Sequence, residues 1–244
     1  MKNVKLTIEY DGTNYHGWQS QNNSLAIQDI ITSALLKLTG EKITVNGSSR
    51  TDAGVHAYGL VANFTTSSSI PAEKFSYAIN TMLPPDVVVV KSEEVPMDFH
   101  ARFSSKGKKY RYLIYNGAFP PALLRNRTYH ISKPLDECKM QEAADKFIGA
   151  HDFTTFMAAG STARTTVRTI YSAKVTRKDN LITFEVEGNG FLYNMVRIMA
   201  GTLIEVGYGK IKVCDMENII LSRNRKMAGR TASANGLYLL EVFY

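Results

Sequence analysis

The stretch KGKKYRYLIY, residues 106–115, repeats its pattern every two residues, placing Tyr110, Tyr112 and Ile114 on one face and Lys109, Arg111 and Leu113 on the other. Such alternation predicts a strand with one face toward a core and the other toward water. It opens a second cycle of elements that resembles one already completed, so the chain divides near residue 105. Upstream, Val4, Leu6, Ile8 and Tyr10 alternate over 3–10 and stop at the turn formers Asp11 and Gly12. Leu25, Ile27, Ile30, Ile31, Ala34, Leu35 and Leu38 then recur at helical spacing until Gly40. Short strands are expected near 43–46 and 58–64. A helix opened by Pro71, with Phe75, Ala78, Ile79 and Met82 inward, ends at Pro84 and Pro85, and a strand follows at 87–90.

Downstream of the opening stretch, Met140, Ala143, Ala144, Phe147 and Ile148 mark a helix over about 136–148. A hairpin turns at Lys178, Asp179 and Asn180 between strands 170–177 and 181–188. A helix over about 191–206 buries Leu192, Met195, Val196, Met199 and Leu203, another covers 213–222, and a last strand runs from Leu237 to Phe243. The fold class that follows is α+β. Two α/β halves, 1–104 and 105–244, share a mixed, largely antiparallel sheet flanked by helices around a central basic cleft.

With 244 residues, 44% of them hydrophobic, the chain is long enough to bury a full core. Lys and Arg total 29 against 22 Asp and Glu, a net charge of +7, which suggests a diffuse attraction for phosphate backbones. No run approaches the roughly 18 apolar residues of a membrane span, and MKNVKLTIEYDG lacks a signal-peptide core. A cytoplasmic location without membrane contact is the default expectation. Cys138 and Cys214 have neither CxxC nor Cys/His spacing and are expected as buried, reduced thiols. The five histidines, His16, His56, His100, His130 and His151, show no ligand pattern, so no metal is expected.

Five side chains are candidates for chemistry or RNA contact. Asp52, in SSRTDAGVHA (48–57), is open to a plain reading as turn chemistry, since Asp bonds its own backbone and Gly54 accepts positive φ. It is equally a carboxylate held rigidly at a strand end, ionised at neutral pH and available as nucleophile or base, with Arg50 two residues away. Arg197 lies off the Met195, Met199 and Leu203 stripe, either as a solvated or salt-bridged helix arginine or as a fixed guanidinium that keeps a carboxylate ionised and oriented. Tyr110 either lines a core or stacks on a base while its basic neighbours hold phosphates. Trp18 is a core anchor or a ring beside RNA, the former favoured for a lone large apolar ring.

The segments YDGTNYHGWQSQ (10–21), SRTDAGVHA (49–57), FHARFSSKGKKYRYLIYN (99–116), GNGFLYNMVRIMAGTLIEVG (188–207) and GLYLLEV (236–242) together resemble the blocks of the tRNA pseudouridine synthase A family. The resemblance spans essentially the whole chain. It implies a pseudouridine-synthase fold and a cofactor-free isomerase that converts uridines at positions 38, 39 and 40 of the tRNA anticodon stem-loop to pseudouridine. It also implies a homodimer. By motif match, Asp52 falls on the family's catalytic aspartate, Tyr110 on its active-site tyrosine and Arg197 on the arginine accompanying the aspartate. Arg50 falls on the arginine implicated in displacing the target nucleotide. Ser49 stands where the family often has glycine, and TASAN before Gly236 stands where a proline is common. A silent RNA-binding module would account for charge and aromatics but gives Asp52 no task. A base-removing hydrolase would need a second carboxylate, and no obvious one flanks Asp52.

Overall fold

The computed structural model describes residues 1–22 and 24–244. They form two units: Met1–Lys106 with Leu239–Tyr244, and Gly107–Tyr238. In the first unit, β1 (Lys2–Tyr10) leads to α1 (Ile27–Thr39), then β2 (Asn46–Gly47), β3 (His56–Thr66), α2 (Phe75–Asn80) and β4 (Val87–Val95). β1 lies antiparallel to both β3 and β4, with Leu6 opposite Ala62 on one side and Ser92 on the other. β2 pairs antiparallel with β3. Being central, β3 is buried on both faces apart from Tyr58 and Thr65, which is why its sequence lacks clean alternation.

α1 buries Ile27, Ile31, Ala34 and Leu35 and ends where Gly40 adopts φ +72° and donates its N–H to Leu36 O. Two expectations change here. Leu25 precedes the helix and is 53% exposed, because the helix begins only after the extended Ala26. Met82, beyond the end of α2, is likewise exposed. The segment expected as a strand at 43–46 is extended only at Asn46–Gly47, although Ile43 and Val45 are buried.

The second unit contains β5 (Gly107–Asn116), β6 (Tyr129–Ile131), α3 (Glu137–Asp145), β7 (Gly149–Asp152), β8 (Val167–Lys178), β9 (Leu181–Gly188), α4 (Met195–Gly207) and α5 (Met216–Leu221). The closing strand β10 (Leu237–Phe243) begins in this unit and ends in the first, beside β3. β5, β9, β8 and β7 are successive antiparallel neighbours, while β6 joins β5 in parallel. The arrangement is therefore mixed and mostly antiparallel, with five α-helices among the described residues. Tyr110, Tyr112 and Ile114 of β5 are buried and Lys109, Arg111 and Leu113 only partly so, as period two requires. The hairpin between β8 and β9 turns through Asp179, whose φ is +53°.

α3 covers β8 with Met140, Ala143 and Ala144. Its core stripe stops there, so Ile148, outside the helix, is 45% exposed. Both thiols depart from the expected burial: Cys138 sits on the outer side of α3 and Cys214 in the turn before α5, and each is exposed. Spacing explains this, because neither falls on the apolar stripe of its segment. α4 is buried almost all round, including Ile198, Ala200, Gly201 and Thr202, and so acts as a core helix instead of showing one apolar stripe.

Candidate active-site residues

The loop that presents Asp52 is fixed by backbone far from it in sequence. Ser48 is buried; its N–H donates to Val61 O (2.8 Å) and its hydroxyl accepts from Val61 N–H (3.3 Å), tying the loop to β3. The segment 10–18 grips the other side. Tyr10 and Thr51 hydroxyls meet at 2.8 Å, Trp18 N–H donates to Thr51 O (3.3 Å), and Gly54 N–H donates to Tyr15 O (3.2 Å). Gly12 N–H donates to the ring nitrogen Nδ1 of buried His56 (3.0 Å). Gly17 permits this approach: at φ +86°, a Cβ there would lie 2.1 Å from Thr51 O. Within the loop, Val55 N–H donates to Asp52 O (3.2 Å) and Gly54 takes φ +77°, the turn geometry that Asp-Ala-Gly suggests.

Two blocks that look separate in sequence are thus one device. Trp18, 2% exposed, is its floor and packs against Gly47, so the lone tryptophan is a core anchor. Tyr15 is held by a short bond from its hydroxyl to Asp86. Burial, then that carboxylate, push the phenol's pKa well above its ordinary value. On this mount Thr51 is buried, Asp52 half-buried and Arg50 exposed. The Ser49 hydroxyl is buried with no hydrogen-bond partner among the described residues.

The other two candidates belong to the second unit. Tyr110 opposes Val186 across the β5–β9 ladder, is 7% exposed, and meets the ring of Phe191 edge-on at 5.1 Å. Phe191 was not among the sequence candidates, although GNGF places an aromatic four residues before α4. The neighbouring basic face is partly neutralised. Glu185 takes Lys109 (2.9 Å) and Arg111 through Nε (2.8 Å) and NH2 (2.6 Å). These two cations are therefore committed to a carboxylate, contrary to a role as freely available phosphate holders. Burial raises the pKa of Glu185, but its bonds to Lys109 and Arg111 outweigh that and hold it below the usual carboxylate range.

Arg197 is half-buried and oriented by two bonds: Nε to Ala232 O (2.9 Å) and NH1 to Asn194 Oδ1 (2.8 Å). Its own carbonyl accepts from Ala232 N–H (3.0 Å). Asn194, directly before α4, has φ +59° and ψ +9°, a left-handed conformation that asparagine tolerates better than most residues. Aiming Oδ1 at the guanidinium gives that conformation a use. Asn194 was missed by sequence reasoning, and its signal is weak, an Asn before a helix. The plain reading of Arg197 as a solvated helix arginine is thereby set aside. Beside it, buried Tyr112 donates to Ser233 O (2.6 Å); burial raises the phenol's pKa, opposed by the charges of Arg197 and Arg230.

No group of three or more His, Cys, Asp or Glu able to hold a metal ion occurs among the described residues, and no described helix is long and apolar enough to cross a membrane. Comparison with known proteins adds to this geometry. A family model described as tRNA pseudouridine synthase matches residues 6–104 and 143–244. The protein named tRNA pseudouridine synthase A from Acetivibrio thermocellus is 61% identical over 244 residues, covering 100% of both chains. Proteins of the same name from Ruminiclostridium cellulolyticum and Thermoanaerobacter sp. are 57% and 49% identical, again over 100% of both chains.

Proposed function

Since the chain belongs to the tRNA pseudouridine synthase family, we propose that it isomerises uridine to pseudouridine in the anticodon stem-loop of tRNA, at positions 38, 39 and 40, with Asp52 as the reacting carboxylate. The observation that carries this reading is the full-length identity to synthases of that name, joined to a half-buried Asp52 on a loop clamped by residues 10–18. The reaction breaks the bond from ribose C1′ to uracil N1, turns the free base, and joins C1′ to C5. The proton leaving C5 balances the one gained at N1. All atoms of the nucleotide are retained and no oxidation state changes overall, so the stoichiometry calls for neither cofactor nor energy donor.

A glycosidase commonly uses two carboxylates because water must be activated as well as the leaving group protonated. Here the detached uracil returns as the nucleophile, so one carboxylate suffices. Asp52 either attacks C1′ or removes the C2′ proton to give a glycal; both routes require its anion. Arg197, oriented by Asn194 and Ala232, supplies the guanidinium that keeps the carboxylate charged. Tyr110 stacks on uracil during its rotation, and its phenol is a hydrogen-bonding partner for the base. Water has to be kept out meanwhile, or the activated sugar would hydrolyse. Because C1′ is hidden in a stacked stem, the nucleotide must be extruded, at a cost of a few kcal/mol. Arg50, exposed on the same loop, fills the vacated position. The protein acts in the cytoplasm as a homodimer and needs no metal.

The test is direct. Purified protein is incubated with an unmodified tRNA transcript, with and without a chelator, and pseudouridine is mapped by carbodiimide-blocked primer extension. Stops at positions 38–40 that persist with chelator are expected. An unmodified transcript, or an abasic product, would reject the isomerase. Light scattering is expected to give twice the 27.2 kDa of one chain; the monomer mass would reject the dimer.

A further inference from the structure

The turn after α4 borders a surface hollow of about 290 Å³ lined by Lys133, Glu205, Tyr208, Lys210 and Arg230, all in the second unit. Cations outnumber acids three to one there. The acid is already engaged: Glu205 Oε2 lies 2.8 Å from Lys210 Nζ, which also sits 5.2 Å from the centre of the Tyr208 ring. Lys133 and Arg230 are exposed, and among the described residues neither side chain has a hydrogen bond or an ion pair. The Arg230 guanidinium stands 6.0 Å from the centre of the Tyr129 ring.

The negative end of α4 does not cancel this charge. Ile204 O and Val206 O accept from Tyr208 N–H (3.0 Å) and Gly209 N–H (2.8 Å), Glu205 O accepts from Lys210 N–H (3.0 Å), and Gly207 O accepts from Asp136 N–H (3.1 Å). Arg230 is also rigidly mounted. Gly229 N–H donates to Thr202 Oγ1 (2.9 Å), Arg225 bonds Gly229 O (2.9 Å) and Thr231 Oγ1 (3.1 Å), and Ala232 is bonded to Arg197. Burial raises the pKa of the Tyr208 phenol, so a neutral hydroxyl faces the same hollow at physiological pH. A fixed guanidinium, an unpaired ammonium and a phenol together match an anion with several acceptor oxygens. Contacts to backbone phosphates fix the register of a nucleic acid without reading its sequence.

We propose that Lys133 and Arg230, with Tyr208 beside them, form a subsite for one backbone phosphodiester of the RNA substrate. The proposal rests on the reading of the protein as a tRNA-modifying enzyme. Its test compares the full chain with Lys133→Ala, Arg230→Ala and the double variant, measuring affinity for the unmodified transcript across a salt series. Each single change is expected to weaken binding several-fold and to lower the slope of log affinity against log salt by about 0.7 to 0.9, with roughly twice that effect in the double variant. Arg230→Lys should recover the slope. The Lys133 side chain has no hydrogen bond or ion pair among the described residues, so its variant keeps the test informative even if Arg230→Ala lowers the melting temperature. Wild-type affinity and slope in Lys133→Ala and the double variant would overturn the subsite. So would a melting-temperature rise of the wild type in millimolar inorganic phosphate combined with unchanged tRNA affinity of the variants, because the hollow would then hold free phosphate and no strand. Normal pseudouridine formation with unaltered variant affinity removes the subsite alone. Altered slopes without any pseudouridine formation by the wild type remove the isomerase reading and leave the phosphate contact standing.

Discussion

One carboxylate bears the proposed chemistry, and its surroundings separate removing a reacting group from disturbing a fold. Asp52 is half-buried, and its carbonyl closes the turn with Val55 N–H. The loop is otherwise held by Ser48, Thr51 and Gly54. Asp52→Ala should therefore leave the mount intact, retain tRNA affinity within roughly tenfold and abolish pseudouridine, as single-turnover assays and filter binding would show. Product at the wild-type rate would end the assignment. Arg197 invites a subtler change. Its two bonds, to Ala232 O and Asn194 Oδ1, use the planar fork of a guanidinium, which an ammonium cannot reproduce. Arg197→Lys keeps the charge and loses the orientation, so the single-turnover rate should fall at least tenfold with little change in affinity. An unchanged rate would show that charge alone is required.

Close backbone contact explains how α4 keeps Arg197 in register with the strap 228–232. A Cβ on Gly201 would lie 1.7 Å from Arg230 O, and one on Gly229 would lie 2.7 Å from both Gly201 O and Thr202 Cα. Gly201→Ala must push the strap outward, breaking the paired bonds between residues 197 and 232. A stability loss of about 1–3 kcal/mol and a lower catalytic rate are expected, read by urea denaturation and by the mapping assay. Wild-type stability would mean that the strap yields freely. This contact also marks the limit of what the sequence discloses. Period two located β1 and β5, the turn residues 178–180 located the β8–β9 hairpin, and helical spacing with Gly40 located α1, because those signals are local. The start of α4 was placed four residues early, since a left-handed Asn194 interrupts an otherwise continuous apolar pattern. Cys138 and Cys214 were assigned to the interior on residue type, whereas position relative to each stripe decided the outcome; Ile148 was placed on the stripe by helical spacing, but α3 ends at Asp145. Asp52, Tyr110 and Arg197 were legible as candidates. The grip of residues 10–18 on the loop 48–55, and the capture of Lys109 and Arg111 by Glu185, depend on contacts between segments distant in sequence, which periodicity does not encode.

Stability across pH combines groups in both units and changes sign at its two ends. Glu93 is held below its ordinary value of 4.5 by hydrogen bonds to Lys5 and Lys91. Asp152 is lowered chiefly by the Thr154 hydroxyl, and Glu185 by Lys109 and Arg111 against the effect of burial. In acid the unfolded chain binds protons before these carboxylates do in the fold, so their contribution is complete above pH 4.5 and disappears as pH falls through the depressed values. Phenols act in the opposite direction. Burial raises Tyr15, Tyr112, Tyr208 and Tyr244 above 10.0, so the unfolded chain loses protons first and stability falls as pH rises beyond 10.0. Net charge adds to both limbs. The chain carries +7 at pH 7 and its isoelectric point is about 9.3, so acidification adds positive self-repulsion to the loss of carboxylate bonds, while above about pH 10 tyrosines and lysines titrate together and add negative self-repulsion. The alkaline fall therefore combines the buried phenols with Lys139 and Lys146, whose pKa values are raised by Asp136 and Glu217. Urea midpoints measured from pH 3 to 11 should form a plateau between about pH 6 and 9, decline below about 4.5 and decline again above about 10, with high salt moderating the part of each loss that comes from self-repulsion. Tyr244→Phe removes a phenol that donates to Ala101 O at 2.7 Å. It should lower the plateau by about 1 kcal/mol and flatten the alkaline limb; a limb equally steep without that phenol would show that Tyr244 does not contribute to it.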